Sequence, residues 1–414
     1  MSAARRWWWL AALAALALAA VLVAAAASGG GGGPGGGGGP GGGGGPGGGR
    51  SGPGGGGPHR ASTTASAPST LTAPSPLAPA PSFGANVNRL FNDRTYSPAQ
   101  IDRQLSALAA TGAVLARSDA LWEAAEPSPP AGGLHRYDWR FDDAIAGSLA
   151  THRLRWLPIV DYSASWAQSI PGHDHSPPAS DGDYAAYAAA LAARYGAGGS
   201  FWSAHPRLPP EPVDTFEIWN EPDNAEFWNP APAPARYAEL YAAARAAIHA
   251  VDPGARVIVG GLTHPQATLT AMIQALPALR GELDGVAIHP YGPTPANVLA
   301  GVQTAREALS ALGLGSVPLY VTEFGWTTSP AGALDYLPEN LRPAYTAETL
   351  SALAHSDCGL AAALLYTWVT PERNAADRED WFGINPPGGG TSADAAAFAA
   401  GLREASGAAA STAC

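Results

Sequence analysis

Lysine is absent from this sequence, and all 23 basic residues are arginines. We attribute this bias, together with the abundance of alanine, glycine and proline, to genomic composition. The first 82 residues contain four arginines and no acidic residue, which leaves 19 arginines against 34 acidic residues in the rest of the chain, a formal charge of −15. A domain this acidic argues against nucleic acid as a partner.

Cysteine is scarce, with Cys358 and Cys414 as the only two examples. Neither their spacing nor their neighbouring residues form a metal-binding pattern, so we expect no metal, and we expect no other cofactor. An even number of cysteines in an exported protein favours a disulfide. Two unpaired thiols are the alternative.

Large apolar side chains are almost missing from residues 29–82, where glycine, proline, serine, threonine and alanine dominate and GGGGGP units repeat. Such a segment cannot bury a hydrophobic core. We therefore predict a disordered linker at 29–82 and one folded domain at 83–414, whose length of about 330 residues suits a single α/β barrel with insertions.

An uncharged apolar run precedes the linker. It covers residues 7–27, follows Arg5 and Arg6, and ends in small residues. This pattern predicts an export signal over residues 1–28. The run has 21 residues, about the length that crosses a bilayer, so a cleaved signal peptide and a retained membrane anchor are both open. The protein is predicted to be exported, and either secreted or anchored at the outer face of the cytoplasmic membrane.

Short β-rich runs alternate with alanine-rich helical segments from residue 83 onward, which predicts parallel βα units. The eight runs are FGANVN (83–88), AVLAR (113–117), LRWLPIV (154–160), DTFEIWN (214–220), ARVIVGG (255–261), DGVAIH (284–289), PLYVTE (318–323) and LAAALLYTW (360–368).

Helices are predicted between these runs. In the first one, Ser97 can cap the N-terminus, Pro98 suits the first turn and Gly112 ends the helix. The other helices are predicted at 139–152, 182–195, 234–251, 267–276, 296–312, 341–356 and 392–405. Eight strands and eight helices predict a (β/α)8 barrel, the TIM-barrel fold. The alternative, an open doubly wound sheet, would need a glycine-rich phosphate loop after an early strand, and the sequence has none.

Two glutamates stand at the ends of predicted strands: Glu221 in FEIWNEPD after the fourth, and Glu323 in VPLYVTEFGW at the seventh. Cleavage of an acetal needs one carboxyl group to protonate the leaving oxygen and a second to meet the oxocarbenium-like carbon from the opposite side. The C-terminal ends of barrel strands share one face. The two carboxyl groups are therefore predicted to converge there, about 5–5.5 Å apart.

Other polar and aromatic residues fall at the same predicted strand ends. They are Arg117 and Asp119 at the second strand, Asp161 and Trp166 after the third, Asn220 at the fourth, His289 and Tyr291 at the sixth, and Trp368 at the eighth.

Three motifs carry a resemblance to a known group of enzymes: NEP after the fourth strand, HPY after the sixth and TEFGW at the seventh. With them the chain resembles the clan A retaining glycoside hydrolases over about 330 residues. It is most similar to bacterial family 39 and family 5 type enzymes, because YDWRFDD (137–143) and the LPIVDYSASW segment also resemble family 39 members that act on polysaccharides.

The resemblance implies a role for each of several residues. Glu221 would be the acid/base and would begin the reaction protonated, while Glu323 would be the nucleophile and must be ionised. Tyr291 and Arg117 match family positions that hydrogen-bond the nucleophile, and Asn220 matches one that binds the sugar 2-hydroxyl group.

Several of these residues have other possible roles. Trp368 resembles the aromatic floor under the sugar ring, and Trp166 and Trp326 are candidates for neighbouring subsites, but large aromatic residues also pack in cores. His289 could be a core histidine. Arg117 could pair with Glu217 or Asp119 inside the barrel; we interpret Glu217, four residues before Glu221, as a structural ion-pair partner.

The leading hypothesis is a monomeric retaining glycoside hydrolase that cleaves O-glycosidic bonds, with β linkages expected, in an extracellular or cell-envelope polysaccharide. One alternative is a non-catalytic carbohydrate-binding or wall-tethered protein that keeps the barrel for recognition. Another is a transglycosylase, in which a second sugar intercepts the covalent intermediate.

Overall fold

The computed structural model describes residues 81–330, 335–370, 374–406 and 412–414. The predicted export signal and residues 29–80 of the predicted linker lie outside the described residues, whereas Ser82, the last predicted linker residue, is the first residue of a strand. Within the described ranges, no helix is both long enough and apolar enough to cross a membrane. Membrane anchoring through residues 7–27 therefore stays a prediction.

Eight parallel strands close into a barrel in which each strand pairs with its neighbours in chain order and β8 pairs with β1. The strands are β1 (Ser82–Asn86), β2 (Leu115–Leu121), β3 (Arg155–Asp161), β4 (Thr215–Ile218), β5 (Arg256–Leu262), β6 (Val286–Ile288), β7 (Leu319–Phe324) and β8 (Leu360–Leu365). This confirms the predicted (β/α)8 barrel.

Among the described residues, eight helices of more than ten residues surround the barrel and follow the strands in order. They are α1 (Pro98–Ala110), α2 (Arg140–Thr151), α3 (Asp181–Tyr195), α4 (Pro234–Val251), α5 (Pro265–Ala275), α6 (Pro295–Ala311), α7 (Arg342–His355) and α8 (Ala393–Ala405). At the start of α1 the Ser97 backbone N–H donates to the Gln100 side chain and Pro98 occupies the first turn. The predicted helices are thus present, and their ends lie within two residues of the predicted ends.

The barrel interior changes from apolar to polar along the strands. Near the N-terminal ends, the inward side chains form a small apolar cluster of Leu115, Leu157, Ile258, Ala287, Tyr320, Ala362 and Leu364. Because side chains two residues apart share a face of a strand, the next inward layer contains Arg117, Glu217, His289 and Thr322. All four are buried. The polar groups are therefore gathered above an apolar base, towards the C-terminal face where barrel enzymes place their sites.

Most strand ends are shifted from the prediction, and three of these shifts affect candidate site residues. β2 continues to Leu121, so Arg117 and Asp119 lie within the strand instead of ending it. β4 stops at Ile218, and β8 stops at Leu365, three residues before Trp368. The last difference changes which aromatic residue stands at the end of β8.

The two cysteines form a disulfide, which confirms the expected pairing. The Cα atoms of Cys358 and Cys414 are 5.0 Å apart. Cys358 is buried just before β8, and the backbone N–H of Asp357 donates to the carbonyl oxygen of Thr412. The bond closes a loop of 56 residues, which is expected to stabilise the fold by about 2–4 kcal/mol. It lies at the N-terminal end of the barrel.

Candidate active site

The backbone bends sharply after β4. Trp219 and Glu221 have positive φ angles of 67° and 45°, in the left-handed region that non-glycine residues rarely adopt. In an ideal strand, successive side chains point to opposite faces. The bend instead places both Asn220 and Glu221 among the inward polar residues, and such backbone strain is typical of functional sites.

Glu221 and Glu323 meet on either side of His289. The His289 Nδ1 atom lies 2.7 Å from Glu221 Oε1 and 3.6 Å from Glu323 Oε2. One carboxylate oxygen from each glutamate and a histidine nitrogen lie within 4.8 Å of one another. The structure thus brings the two carboxyl groups to one point at the C-terminal face of the barrel.

Glu323 is surrounded by groups that favour its ionised form. Arg117 Nη1 donates to Oε1 at 2.6 Å, and the Tyr291 hydroxyl donates to Oε2 at 2.7 Å. Burial alone raises the pKa of Glu323. The charges of His289 and Arg117 and the hydrogen bonds from Tyr291 and Arg117 outweigh burial, so that the pKa of Glu323 lies below its ordinary value of 4.5.

Glu221 has different partners. Asn224 Nδ2 donates to its Oε2 atom at 2.7 Å, and His289 Nδ1 shares a proton with Oε1. Burial lowers the pKa of His289, but the charge of Glu323 and then the hydrogen bond and charge of Glu221 raise it above its ordinary value of 6.5. The raised pKa of His289 therefore places a readily protonated imidazole between Glu221 and the ionised Glu323.

Arg117 connects the site to the barrel core. Its Nε and Nη2 atoms donate to the two oxygens of Glu217 at 2.7 and 3.0 Å, and Nη2 also donates to Asn220 Oδ1 at 2.9 Å. Arg117 and Glu217 are fully buried. Arg117 thus makes both contacts considered from the sequence, an ion pair with Glu217 in the core and an ion pair with the candidate nucleophile.

Gly261 in β5 makes room for His289. A Cβ atom on Gly261 would lie 2.0 Å from His289 Nε2, much closer than real contacts allow. The Gly261 backbone N–H donates to Glu217 Oε1 at 2.9 Å, and His289 Nε2 lies 3.1 Å from Thr322 Oγ1. The imidazole ring is therefore fixed by close contact with the neighbouring strands.

Glu221, His289 and Glu323 could also be considered as metal ligands, because their ligand atoms converge. However, the Arg117 guanidinium already contacts Glu323 Oε1, and Tyr291 contacts Oε2. A metal ion bound at this point would be repelled by the positive charge of the Arg117 guanidinium. The arrangement suits a pair of carboxyl groups with different protonation states better than a metal site.

Two further buried carboxyl groups lie near the site, on β2 and β3. Burial raises the pKa of Asp119 to about 6, although Asn92 and Asn88 donate hydrogen bonds to it. Burial, followed by the charge of Asp119, raises the pKa of Asp161 well above its ordinary value. Both groups are more easily protonated than exposed aspartates.

The three tryptophans predicted to bind sugar lie in other surroundings. Trp368 is completely buried, packs against Phe398 of α8, and donates its Nε1 hydrogen to Gln104 of α1. Trp326 is also buried and donates to the Gly292 carbonyl oxygen. Neither ring offers a face to a ligand in this structure. Trp166 is half-buried, packed edge-on against Trp122 at 5.2 Å.

The aromatic residue at the end of β8 is Tyr366 instead of Trp368. It directly follows the last strand residue and is partly exposed; its ring centroid is 6.4 Å from that of Tyr291, and its hydroxyl donates to Glu379 Oε2 at 3.0 Å. Burial raises the pKa of Glu379 to about 7. Tyr366 and Trp368 are two residues apart, so the alternation of side chains along a strand would place both on the same face. Tyr366 is the one at the strand end because β8 stops at Leu365.

The sequence matches no protein-family model and no curated protein. In solved structures, the chain is similar to a monomeric β-xylosidase from Caulobacter crescentus CB15, with a TM-score of 0.56 and 20% identity over 78% of this chain and 69% of that one. The GH39 enzyme from Xanthomonas axonopodis pv. citri gives a TM-score of 0.56 and 18% identity over 78% and 67% of the two chains. A GH5_18 structure from Streptomyces cattleya, in complex with GlcNAc, gives a TM-score of 0.60 and 15% identity over 81% of this chain and 82% of that one.

These matches confirm, at the level of the fold, the resemblance that the NEP, HPY and TEFGW motifs indicated. Families 39 and 5 of the glycoside hydrolases are both represented among them. The protein has a (β/α)8 barrel similar to those of these glycoside hydrolases, and two glutamates converge at its C-terminal face.

Proposed function

We propose that this protein is a retaining glycoside hydrolase that cleaves β-linked sugars. The observation that carries the proposal is the approach of the Glu221 and Glu323 carboxylate oxygens to within 4.8 Å. Retaining enzymes hold their two carboxyl groups about 5–5.5 Å apart, whereas inverting enzymes need roughly 6.5–9.5 Å to admit a water molecule. The short separation supports a direct attack by one carboxylate.

In the first step, Glu323 attacks the anomeric carbon while Glu221 gives its proton to the glycosidic oxygen, so that the leaving sugar departs as an alcohol. The lowered pKa of Glu323 keeps the nucleophile ionised. Its contacts with Arg117 and Tyr291 also hold the attacking oxygens in place. The step forms a carbon–oxygen ester bond to Glu323.

In the second step, water adds to the anomeric carbon and Glu323 leaves. The negative charge of Glu323 is consumed in the covalent intermediate, which favours the ionised form of Glu221. Glu221 then takes a proton from the water molecule. His289, 2.7 Å from Glu221 Oε1, can hold that proton between turnovers.

Glu221→Ala is expected to show whether Glu221 is the proton donor. The change should lower kcat/KM about 10²–10⁴-fold for substrates with poor leaving groups and much less for 2,4-dinitrophenyl β-glycosides. Azide should restore turnover of the activated substrates and give a β-glycosyl azide, detected by NMR. The β-xyloside, β-glucoside and β-mannoside should be compared.

The matched control for this experiment is Glu239→Ala, because the Glu239 side chain is largely exposed on α4. It should behave as the unmodified protein does. Glycosyl azide of the α configuration would overturn the retaining mechanism. Glycan binding with no turnover of any β-glycoside would instead favour the non-catalytic alternative, and transfer products at high sugar concentration would favour the transglycosylase.

Tyr291→Phe is expected to change the pH dependence of activity. The change removes the hydroxyl group that donates to Glu323 Oε2, so the pKa of Glu323 should rise and the acid limb of kcat/KM should move to higher pH. Loss of a hydrogen bond to a charged group should also lower kcat/KM about tenfold near neutral pH. The measurement is kcat/KM against pH for 4-nitrophenyl β-glycosides. Tyr345→Phe, whose ring packs on Trp326, is the control, and an unshifted acid limb would argue against the role of Tyr291.

We also propose that the protein is exported, acts as a monomer and degrades a polysaccharide outside the cytoplasm. The support for export is the apolar segment at residues 7–27 and the disulfide between Cys358 and Cys414, because disulfides persist in oxidising compartments. Secretion and anchoring are distinguished by whether the protein remains with membranes after cell fractionation.

A further inference from the structure

Two loops on the C-terminal face of the barrel are joined beside Glu221. The first follows β3 and contains His175; the second follows β4 and contains Glu226 and Asn229. His175 Nδ1 lies 2.7 Å from the Glu226 carbonyl oxygen, and the Asn229 backbone N–H donates to the His175 carbonyl oxygen at 2.9 Å. These contacts hold the two loops together as one surface.

Three rings from these loops form that surface, which we call the aromatic wall: Tyr162, His175 and Phe227. The Tyr162 and His175 centroids are 4.3 Å apart, and Tyr162 and Phe227 are nearly parallel, at 14° and 6.4 Å. All three side chains are partly exposed. The buried Trp219 supports them from below, with its ring 5.1 Å from Tyr162 and its Nε1 hydrogen donated to the Phe227 carbonyl oxygen.

The aromatic wall is on the Glu221 side of the site. Asn224 donates its side-chain hydrogen to Glu221 Oε2, and the Phe227 backbone N–H donates to the Asn224 carbonyl oxygen at 3.0 Å. Burial, followed by the charges of Asp161, Asp119 and Glu221, raises the pKa of Tyr162 well above its ordinary value. The hydrogen bonds to Glu323, by contrast, come from Arg117 and Tyr291.

The chemistry of the site determines what would lie against this surface. A proton donor contacts the glycosidic oxygen, and the sugar attached through that oxygen is the one that leaves. Partly exposed aromatic rings present flat apolar faces. The hydrogen bond from His175 to a carbonyl oxygen requires a proton on Nδ1, so in the neutral ring Nε2 is an acceptor for a hydroxyl group.

We propose that Tyr162, His175 and Phe227 bind the ring of the leaving sugar. This inference rests on the proposed glycoside hydrolase activity with Glu221 as proton donor. It identifies the substrate as one with a sugar ring on both sides of the cleaved bond, and it makes the aromatic wall a determinant of specificity that acts during cleavage.

The test compares two leaving groups on the same sugar. Fluoride has no ring, so β-glycosyl fluorides of xylose, glucose and mannose should be cleaved without help from the aromatic wall, whereas the corresponding β-1,4-linked disaccharides should need it. Phe227→Ala is expected to lower kcat/KM for the best disaccharide about tenfold and to leave kcat/KM for its fluoride within about twofold. Phe227→Leu keeps apolar bulk without a flat ring and should show the same discrimination.

Tyr336→Ala is the matched control, since Tyr336 is an exposed aromatic residue on the loop after β7. It should change neither substrate, and thermal unfolding of each variant identifies any loss of folding. Equal losses on the disaccharide and the fluoride, or no loss on either, would overturn the role of the aromatic wall while leaving the hydrolase proposal intact. No turnover of any fluoride or disaccharide by the unmodified protein would overturn both.

Discussion

Glu323→Gln is expected to abolish turnover, with kcat reduced on the order of 10⁴-fold or more. The amide has nearly the same shape as the carboxylate but carries no charge and is not a nucleophile. Arg117 can still donate to the amide oxygen, and the Tyr291 hydroxyl can accept a hydrogen bond from the amide N–H, so the folded structure should be kept while the covalent step is lost. The measurement is the rate of release of 2,4-dinitrophenol from activated β-glycosides at high enzyme concentration.

Two observations make this result interpretable. Thermal unfolding near that of the unmodified protein would show that Glu323→Gln still folds. Glu239→Gln makes the same chemical change at an exposed position on α4 and should keep full activity. If Glu323→Gln also keeps full activity, a double displacement with Glu323 as the nucleophile is excluded, whatever the geometry of the two carboxyl groups.

Among the variants proposed for this protein, Arg117→Met is expected to lower the free energy of unfolding most. Arg117 is fully buried between Glu217 and Glu323, with Nε–Oε2 and Nη1–Oε1 distances of 2.7 and 2.6 Å. Removing the guanidinium leaves two buried carboxyl groups without their cation, which typically costs about 3–5 kcal/mol in the free energy of unfolding. Urea unfolding followed by tryptophan fluorescence measures this difference.

The loss should depend on pH in a defined direction. Arg117 is one of the groups that lower the pKa of Glu323, so its contribution is present above the pKa that Glu323 has in the unfolded chain. It is lost as the pH falls through the lower pKa of the folded protein. The stability difference between the unmodified protein and Arg117→Met should therefore shrink at acid pH.

Arg140→Met is the control for this measurement. Arg140 pairs with Asp138, but its side chain is 90% exposed, and exposed ion pairs contribute little to stability because solvent screens them. A loss of similar size in both variants, or a difference for Arg117→Met that is unchanged down to acid pH, would show that the ion pairs of Arg117 do not account for its effect.

The fold could be predicted from the sequence because each element has its own local pattern. Eight β-rich runs alternate with helices that begin at residues such as Pro98, Pro234 and Pro295, and this alternation leaves little choice beyond a barrel. The two glutamates could be located in the same way, since each stands at a strand end where a barrel places its site.

Details of the site depend on contacts that no local pattern contains. The bend that turns both Asn220 and Glu221 inward requires positive φ angles at two non-glycine residues. Whether Tyr366 or Trp368 stands at the edge of the site depends on where β8 ends, and local sequence patterns locate strand ends less well than the strands themselves. Trp368 is held between α1 and α8 by Gln104 and Phe398, residues far away in the sequence.

The apolar base of the barrel interior has a consequence for the second half of the reaction. Leu157, Ile258 and Leu364 fill the barrel beneath the polar layer, so a molecule that releases the sugar from Glu323 is expected to arrive from the open end, through the space that the departing sugar has just vacated. Water and an acceptor sugar therefore compete for the same entrance. The product depends on which of them reaches the covalent intermediate first.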